Sequence, residues 1–229
     1  MNSTTKSNKT NSKKKTKSFL LYDLVKITGF VSALIWIRPK IYTLDGKKPK
    51  KIKGGMLISA NHISFEDPIV ILCAFWQRRI VSLATKDLYK NNLMKILLNS
   101  IHCIQVDKQN FSMSSLHAVF EYLEADKAVL IFPEGGVNLQ NTEMSSFKSG
   151  AVLMAHRSKK PILPVYLIKT EKWYHRRKLV IGEPFDVAAA LGDRPTMQDM
   201  ARVSEDLRQK ELELCEHYNN NIINKETNK

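Results

Sequence analysis

Cysteine is scarce in this chain. Three residues in 229, Cys73, Cys103 and Cys215, lie far apart and form no C-x-x-C pair. That disfavours a disulfide scaffold and a zinc ribbon, and fits a reducing compartment. The aspartates and histidines make no metal-ligand constellation, so no metal is expected. There is no internal repeat. There is also no zinc-ligand set, no RNP-like aromatic pattern and no basic helix with heptads, so nothing beyond charge argues for nucleic acid. No small-residue cleavage site follows the first apolar run, which begins too late and is too interrupted for a cleaved signal peptide. Acid is the other shortfall. Asp+Glu total 22 against 36 Lys+Arg, a formal net charge of +14. A balance of that sign suits an anionic membrane, an anionic substrate or nucleic acid. Apolar residues at 43% and charged residues at 25% are ordinary globular values, so a wholly disordered chain is not expected. The length suits one domain with a real core.

The lysines are unevenly spread. Residues 1–18 hold six lysines and no acid, without apolar periodicity, and read as a disordered basic tail. A second cluster runs Lys47, Lys48, Lys50, Lys51 and Lys53. Between them, residues 19–37 are largely apolar. Their length nearly suits a bilayer span, but Asp23 and Lys26 interrupt it. At 100° per residue Asp23, Lys26, Gly29 and Ser32 follow one slowly turning polar line, which predicts a membrane-interface helix over 19–39; a core helix of a soluble domain has the same pattern.

After Pro39, short β-like runs alternate with helical ones. Strands are predicted at Ile41–Leu44, Met56–Ala60, Ile80–Ala84, Cys103–Val106, Ala128–Phe132, Ile162–Ile168 and Lys178–Gly182. Helices are predicted at Pro68–Gln77, Asn92–Ser100, Ser112–Ala125, Gly150–Ser158 and Thr196–Tyr218. Continuously apolar strands such as Val129–Phe132 are those covered on both faces. The pattern predicts an α/β fold with a mostly parallel or mixed central sheet flanked by helices. In such folds chemistry gathers at strand ends. The ends here carry Asn61-His62, Asp107-Lys108 and Pro133-Glu134-Gly135-Gly136.

His62 and Asp67 are five apart across a predicted strand-to-helix turn, where the chain can fold back and let Asp67 accept a bond from one imidazole nitrogen. The other nitrogen is then able to take a proton from a substrate hydroxyl, the His–Asp half of a catalytic triad. Asp67-Pro68 also fits an ordinary helix start, with Ser64 adding a capping-box flavour. His102 and Asp107 repeat the spacing, but they bracket a strand whose odd separation points them apart. Glu134 at its turn is placed to receive a hydroxyl or ammonium, and Gly135 and Gly136 let backbone N–H groups approach a ligand; a plain strand-ending turn is the alternative. Lys148 precedes an apolar helix and either faces an anion there or is a surface lysine.

Taken in order, these pieces resemble the glycerophospholipid acyltransferase family, whose best-known members are 1-acylglycerol-3-phosphate acyltransferases. Asn61, His62 and Asp67 meet the N-H-x4-D block. Ile104 to Lys108 meets part of the second block, and Phe132-Pro133-Glu134-Gly135 the F-P-E-G block, followed by Phe147–Ala151 as F-K-x-G-A. Ile162-Leu163-Pro164-Val165 and Ile181-Gly182-Glu183-Pro184 complete the set. The resemblance covers residues 40–190 and implies an acyltransferase domain over 40–220, with 221–229 a tail. It implies that His62 is general base on the free hydroxyl of a lysophospholipid and that Asp67 orients it. The hydroxyl attacks an acyl thioester of coenzyme A or acyl carrier protein, with no cofactor and no acyl-enzyme. Glu134, Gly135, Gly136 and Lys148 are implied as substrate-binding groups, and Lys108 as the phosphate contact. The acceptor expected first is 1-acyl-sn-glycerol-3-phosphate, giving phosphatidic acid. The expected partners are an anionic membrane surface and the two substrates, at the cytoplasmic face as a peripheral or monotopic protein, without nucleic acid.

The departures are specific. Lys108 stands where the second block has arginine, His102 stands where glycine is frequent, and Gly136-Val137 stands where Thr-Arg often follows the third block. Lysine meets phosphate as a point charge without arginine's bidentate fork. Pro133–Asn138 looks more like the tafazzin-type and some bacterial branches. An acyltransferase or transacylase remodelling another lysophospholipid is therefore an alternative, and a non-catalytic membrane-binding protein on the same fold is another.

Overall fold

The computed structural model describes residues 20, 23–24, 36–47, 53–107, 112–139, 143–170 and 176–223. In chain order the elements are β1 (Lys40–Thr43), β2 (Met56–Ala60), α1 (Asp67–Ala74), β3 (Ile80–Thr85), a 3-10 turn (Lys86–Lys90), α2 (Asn92–Ser100), β4 (Ile104–Val106), α3 (Met113–Glu124), β5 (Ala128–Ile131), α4 (Gly150–Ser158), β6 (Ile162–Ile168), β7 (Lys178–Ile181), α5 (Val187–Leu191) and α6 (Met197–His217). Every predicted strand and helix after Pro39 is present within a few residues at each end. The 3-10 turn, α5 and a π-helix at Tyr218–Ile223, which runs into the expected tail, are additional.

The strands form one seven-stranded sheet in the order β1-β7-β6-β2-β5-β3-β4. β2, β3, β4, β5 and β6 run parallel, while β7 pairs antiparallel with β6 and carries β1 alongside it. The sheet is thus mixed, and the direction changes only at β7. Reversal there brings the starts of β1 and β7 to the edge where the parallel strands end: Ile168 pairs with Lys178, and Lys178 with Lys40.

The alternation along β2 divides the core. Met56, Ile58 and Ala60 pack with Val70 and Ile71 of α1 on one face; Leu57 packs with Val129, Ile131, Leu116 and Leu207 on the other. β2 and β5 are buried along their whole length, as central strands covered on both sides must be. Each fully buried aliphatic side chain there contributes about 1.5–3 kcal/mol relative to exposure. Caps set the helix starts: Asn91 accepts from Leu93 and Met94 N–H, and Thr196 with Asp199 makes a capping box for α6.

Of the first 35 residues only three are described. Asp23 pairs with Arg79, whose Nε donates at 3.0 Å, while Leu20 and Leu24 are exposed. Asp23 therefore meets the protein at the opening of β3. The basic tail 1–18, Lys26, Gly29, Ser32, Lys48, Lys50 and Lys51 lie outside the described residues, as does Lys108. Among the described residues no helix is long and apolar enough to cross a membrane.

Candidate active site

β2 ends at Ala60, and the chain must leave the sheet there without abandoning its backbone polar groups. Asn61 solves this. Its side chain is buried and spans to β6, accepting from Leu167 N–H at 2.7 Å and donating to the Leu167 carbonyl at 3.1 Å. The Asn of the motif is thus a strand-end clasp.

The next residues turn back on themselves. Oδ2 of Asp67 takes the backbone N–H groups of Ile63 and Ser64, each at 2.7 Å, and lies 2.9 Å from Nδ1 of His62. Asp67 begins α1 rather than capping it; the N-cap is Glu66, which makes no side-chain cap, with Pro68 in the first turn. The capping-box reading at Ser64 is overturned, because Asp67 bends inward to serve the turn and the imidazole. Asp67 is buried, and the His62 side chain is 14% exposed. Its ring stacks on Phe132 with centroids 4.0 Å apart and planes 17° apart. With Nδ1 held by a carboxylate, the tautomer is set and Nε2 is the nitrogen left to exchange a proton.

The Pro133–Gly136 turn after β5 closes around this unit. Glu134 Oε1 accepts the backbone N–H of His62 at 2.9 Å, and Oε2 accepts that of Ser145 at 3.1 Å. Asn138 N–H donates to the His62 carbonyl at 2.7 Å. Gly135 sits at φ +75, and a Cβ built on it would stand 2.7 Å from Lys148 Nζ. Lys148 therefore crosses the turn, and its backbone N–H donates to the Pro133 carbonyl at 2.9 Å. Gly136 has open space where a side chain would be. The structure so brings together His62, Asp67, Glu134, Gly135, Gly136 and Lys148.

His102 and Asp107 do not meet. His102 contacts the Tyr122 hydroxyl at 3.2 Å, and Asp107 pairs with Lys86 at 3.0 Å. The larger cavity, about 430 Å³, is lined by His102, Cys103 and Tyr122 and contains neither member of the His62–Asp67 pair. A second, about 240 Å³, borders Asp67 and is lined by Ile63, Val70, Leu167, Lys169, Arg177 and Lys178. The hydrogen-bonded pair, rather than void size, marks the site. Burial pushes the Cys73 thiol up to about 11 and raises that of Cys103, so neither is a thiolate at neutral pH. Among the described residues no group of three His, Cys, Asp or Glu is arranged to hold a metal ion.

Sequence reasoning missed the layer beneath. Glu211 of α6 is fully buried, and its Oε1 accepts from the Ser59 hydroxyl at 2.6 Å, while its Oε2 has no hydrogen-bond partner. Loss of solvation, followed by the negative charge of Glu134, raises its pKa well above the ordinary carboxylate value, opposed by the Ser59 bond. Tyr166 is raised chiefly by burial, with Cys215, Glu211 and Glu134 adding to it. A signal was present: Glu211 occupies the helical stripe of Leu207 and Leu214, both buried.

The family model described as Acyltransferase matches residues 40–168. The 1-acyl-sn-glycerol-3-phosphate acyltransferase of Bacillus subtilis is 30% identical over 169 residues, 70% of this chain and 81% of that protein. A probable 1-acyl-sn-glycerol-3-phosphate acyltransferase of Mycoplasma genitalium is 30% identical over 154 residues, and the chain spans 54% of its length. In fold, the chain is similar to the crystal structure of the 1-acyl-sn-glycerophosphate acyltransferase of Thermotoga maritima, with a TM-score of 0.55 at 21% identity over 86% of this chain and 78% of that one.

Proposed function

The chain belongs to the acyltransferase family, and on that premise we propose that it moves a fatty acyl group from an acyl thioester to the free hydroxyl of a lysophospholipid at a membrane surface. The acceptor proposed first is 1-acyl-sn-glycerol-3-phosphate, giving phosphatidic acid; the names of the Bacillus and Mycoplasma relatives support it. The observation that carries the reading is the 2.9 Å contact between His62 Nδ1 and Asp67 Oδ2.

His62 Nε2 takes the hydroxyl proton as the oxygen attacks the thioester carbonyl. The resulting imidazolium is stabilised by Asp67. When the carbon–sulfur bond breaks, the departing thiolate of coenzyme A or acyl carrier protein takes that proton back. Base catalysis of this kind is worth about 10²–10⁴-fold, and holding both substrates in line supplies much of the rest. Gly135, Gly136 and Lys148, on and across the turn beside His62, are the proposed contacts for the acceptor, with Lys108 as its phosphate partner; Glu134, first expected among these contacts, has both oxygens engaged by backbone N–H groups and is proposed to hold the turn instead. Association with the cytoplasmic face of a membrane is part of the proposal, supported by the apolar 19–37 segment and its exposed Leu20 and Leu24.

A second reading has its own support. Lys108 and Val137 occupy the places of the two usual arginines, which favours an enzyme that remodels a lysophospholipid with another headgroup. Labelled acyl-CoA and acyl-carrier-protein donors with lysophosphatidate, lysophosphatidylglycerol and lysophosphatidylcholine distinguish the two. A preference for lysophosphatidate supports the first; equal or better use of the others supports the second; no turnover on any acceptor contradicts both.

A further inference from the structure

One helix, α2, is packed in a way the described residues do not explain. Of the nine residues of α2 only Leu98 and Ser100 are buried. Leu93, Ile96 and Leu97, spaced three and four apart, form one exposed stripe, with Leu93 78% exposed. Leu88 on the preceding 3-10 turn adds to it. An apolar stripe on a helix calls for a partner, and nothing among the described residues of this chain covers this one.

Its position says what the partner is. β3 ends at Thr85 on the edge of the sheet where β2 ends before His62, with only β5 between them. Strands lie about 4.8 Å apart, so the 3-10 turn starts about 10 Å across the edge from the His62 strand. β4 pairs only with the last residues of β3, Leu83 to Thr85, so the excursion through α2 stays near this edge. Phe65, inside the His62–Asp67 turn, is 71% exposed there, and Trp36 is exposed just before β1, which starts at the same edge. Three lysines, Lys86, Lys90 and Lys95, are interleaved with the leucines. Asp87 and Asp107 pair with two of them.

We infer that the turn and α2, residues 86–97, dock on an anionic phospholipid bilayer, so that the strand-end edge carrying His62 faces the lipid. Leucines enter the headgroup boundary while lysines remain with the phosphates, as interfacial helices do. The inference rests on the membrane-surface reading above and adds which face makes the contact.

The test uses the full chain and flotation with vesicles of mixed phosphatidylglycerol and phosphatidylcholine. Replacing Leu88, Leu93 and Leu97 together with serine lowers vesicle affinity by about tenfold or more, and turnover of a short-chain acceptor below its micellar concentration stays within about twofold. Met197→Ser, at an exposed apolar residue opening α6 on the far side, leaves affinity unchanged. A triple-serine variant that floats like wild type overturns the inference. So does a wild-type dimer that the triple variant converts to monomer without loss of vesicle affinity, since a second copy is then the occupant. A wild-type chain that floats on no vesicle contradicts the membrane-surface reading itself, which separates the two failures.

Discussion

Glu134 reaches across 72 residues of sequence to accept the backbone N–H of His62 at 2.9 Å, while its second oxygen accepts from Ser145. The carboxylate of the F-P-E-G block thus braces the turn that carries His62 and Asp67. Replacing it with alanine strands two N–H groups and loosens the imidazole. Misplacement of about 1 Å costs on the order of 10²-fold in rate. Steady-state kinetics of Glu134→Ala should show kcat falling by about that factor with the acceptor KM little changed. A raised KM with kcat intact would mean that Glu134 is chiefly an acceptor contact.

Asp67 serves three donors through one oxygen. Asp67→Asn keeps the size but removes the charge that, in the proposed mechanism, favours the Nδ1–H tautomer of the neutral ring and stabilises the imidazolium. The expected loss in kcat is about 10²–10⁴-fold, with a circular dichroism spectrum matching wild type. Activity within a few-fold of wild type would show that the carboxylate only shapes the turn.

The turn itself is restricted at Gly135. Alanine there meets a left-handed backbone, a cost of about 1–2 kcal/mol, and its Cβ meets the end of Lys148. Gly135→Ala should lower both Tm and activity. Pairing it with Lys148→Ala should relieve the crowding but not the backbone strain, so Tm recovers in part. Full recovery would place the whole cost in the lysine contact.

Burial of Glu211 predicts a pH-dependent stability. Its folded-state pKa is raised above the ordinary 4.5, so the folded chain holds a proton that the unfolded chain gives up. Stability therefore falls as pH rises above about 4.5 toward the folded-state pKa. Glu211→Gln removes that dependence. At pH 8 it should raise Tm by about 2–4 °C, the scale of a ~1 kcal/mol effect in a domain of this size, and the gain should vanish near pH 4. A Tm difference that does not vary with pH would show that ionisation is not involved.

What was legible in the sequence follows from the range of the interactions. The His62–Asp67 pair is local, and a strand-to-helix turn sufficed to bring the side chains together. The apolar runs of β2 and β5 announced buried strands. The reversal at β7 was not readable, since direction depends on pairing partners that a short apolar strand does not specify. Asn61 was read as part of a motif, yet its partner, Leu167, is 106 residues away and identifies it as a clasp between strands. Glu211 looks in sequence like one more charge on an acidic helix; its place between Leu207 and Leu214 was the signal, and packing against Ser59 shows that it is buried. Lys108 remains where the sequence put it, an expected phosphate contact outside the described residues.

His62 is proposed as the base that activates the acceptor hydroxyl. That role is tested most directly by single-turnover acylation of lysophosphatidate from labelled acyl thioester by wild type and His62→Ala, with thermal melts of both. Acyl transfer by the variant should be at least ~10²-fold slower, with a melt like that of the parent. Acyl transfer at the wild-type rate by a folded His62→Ala protein would contradict it.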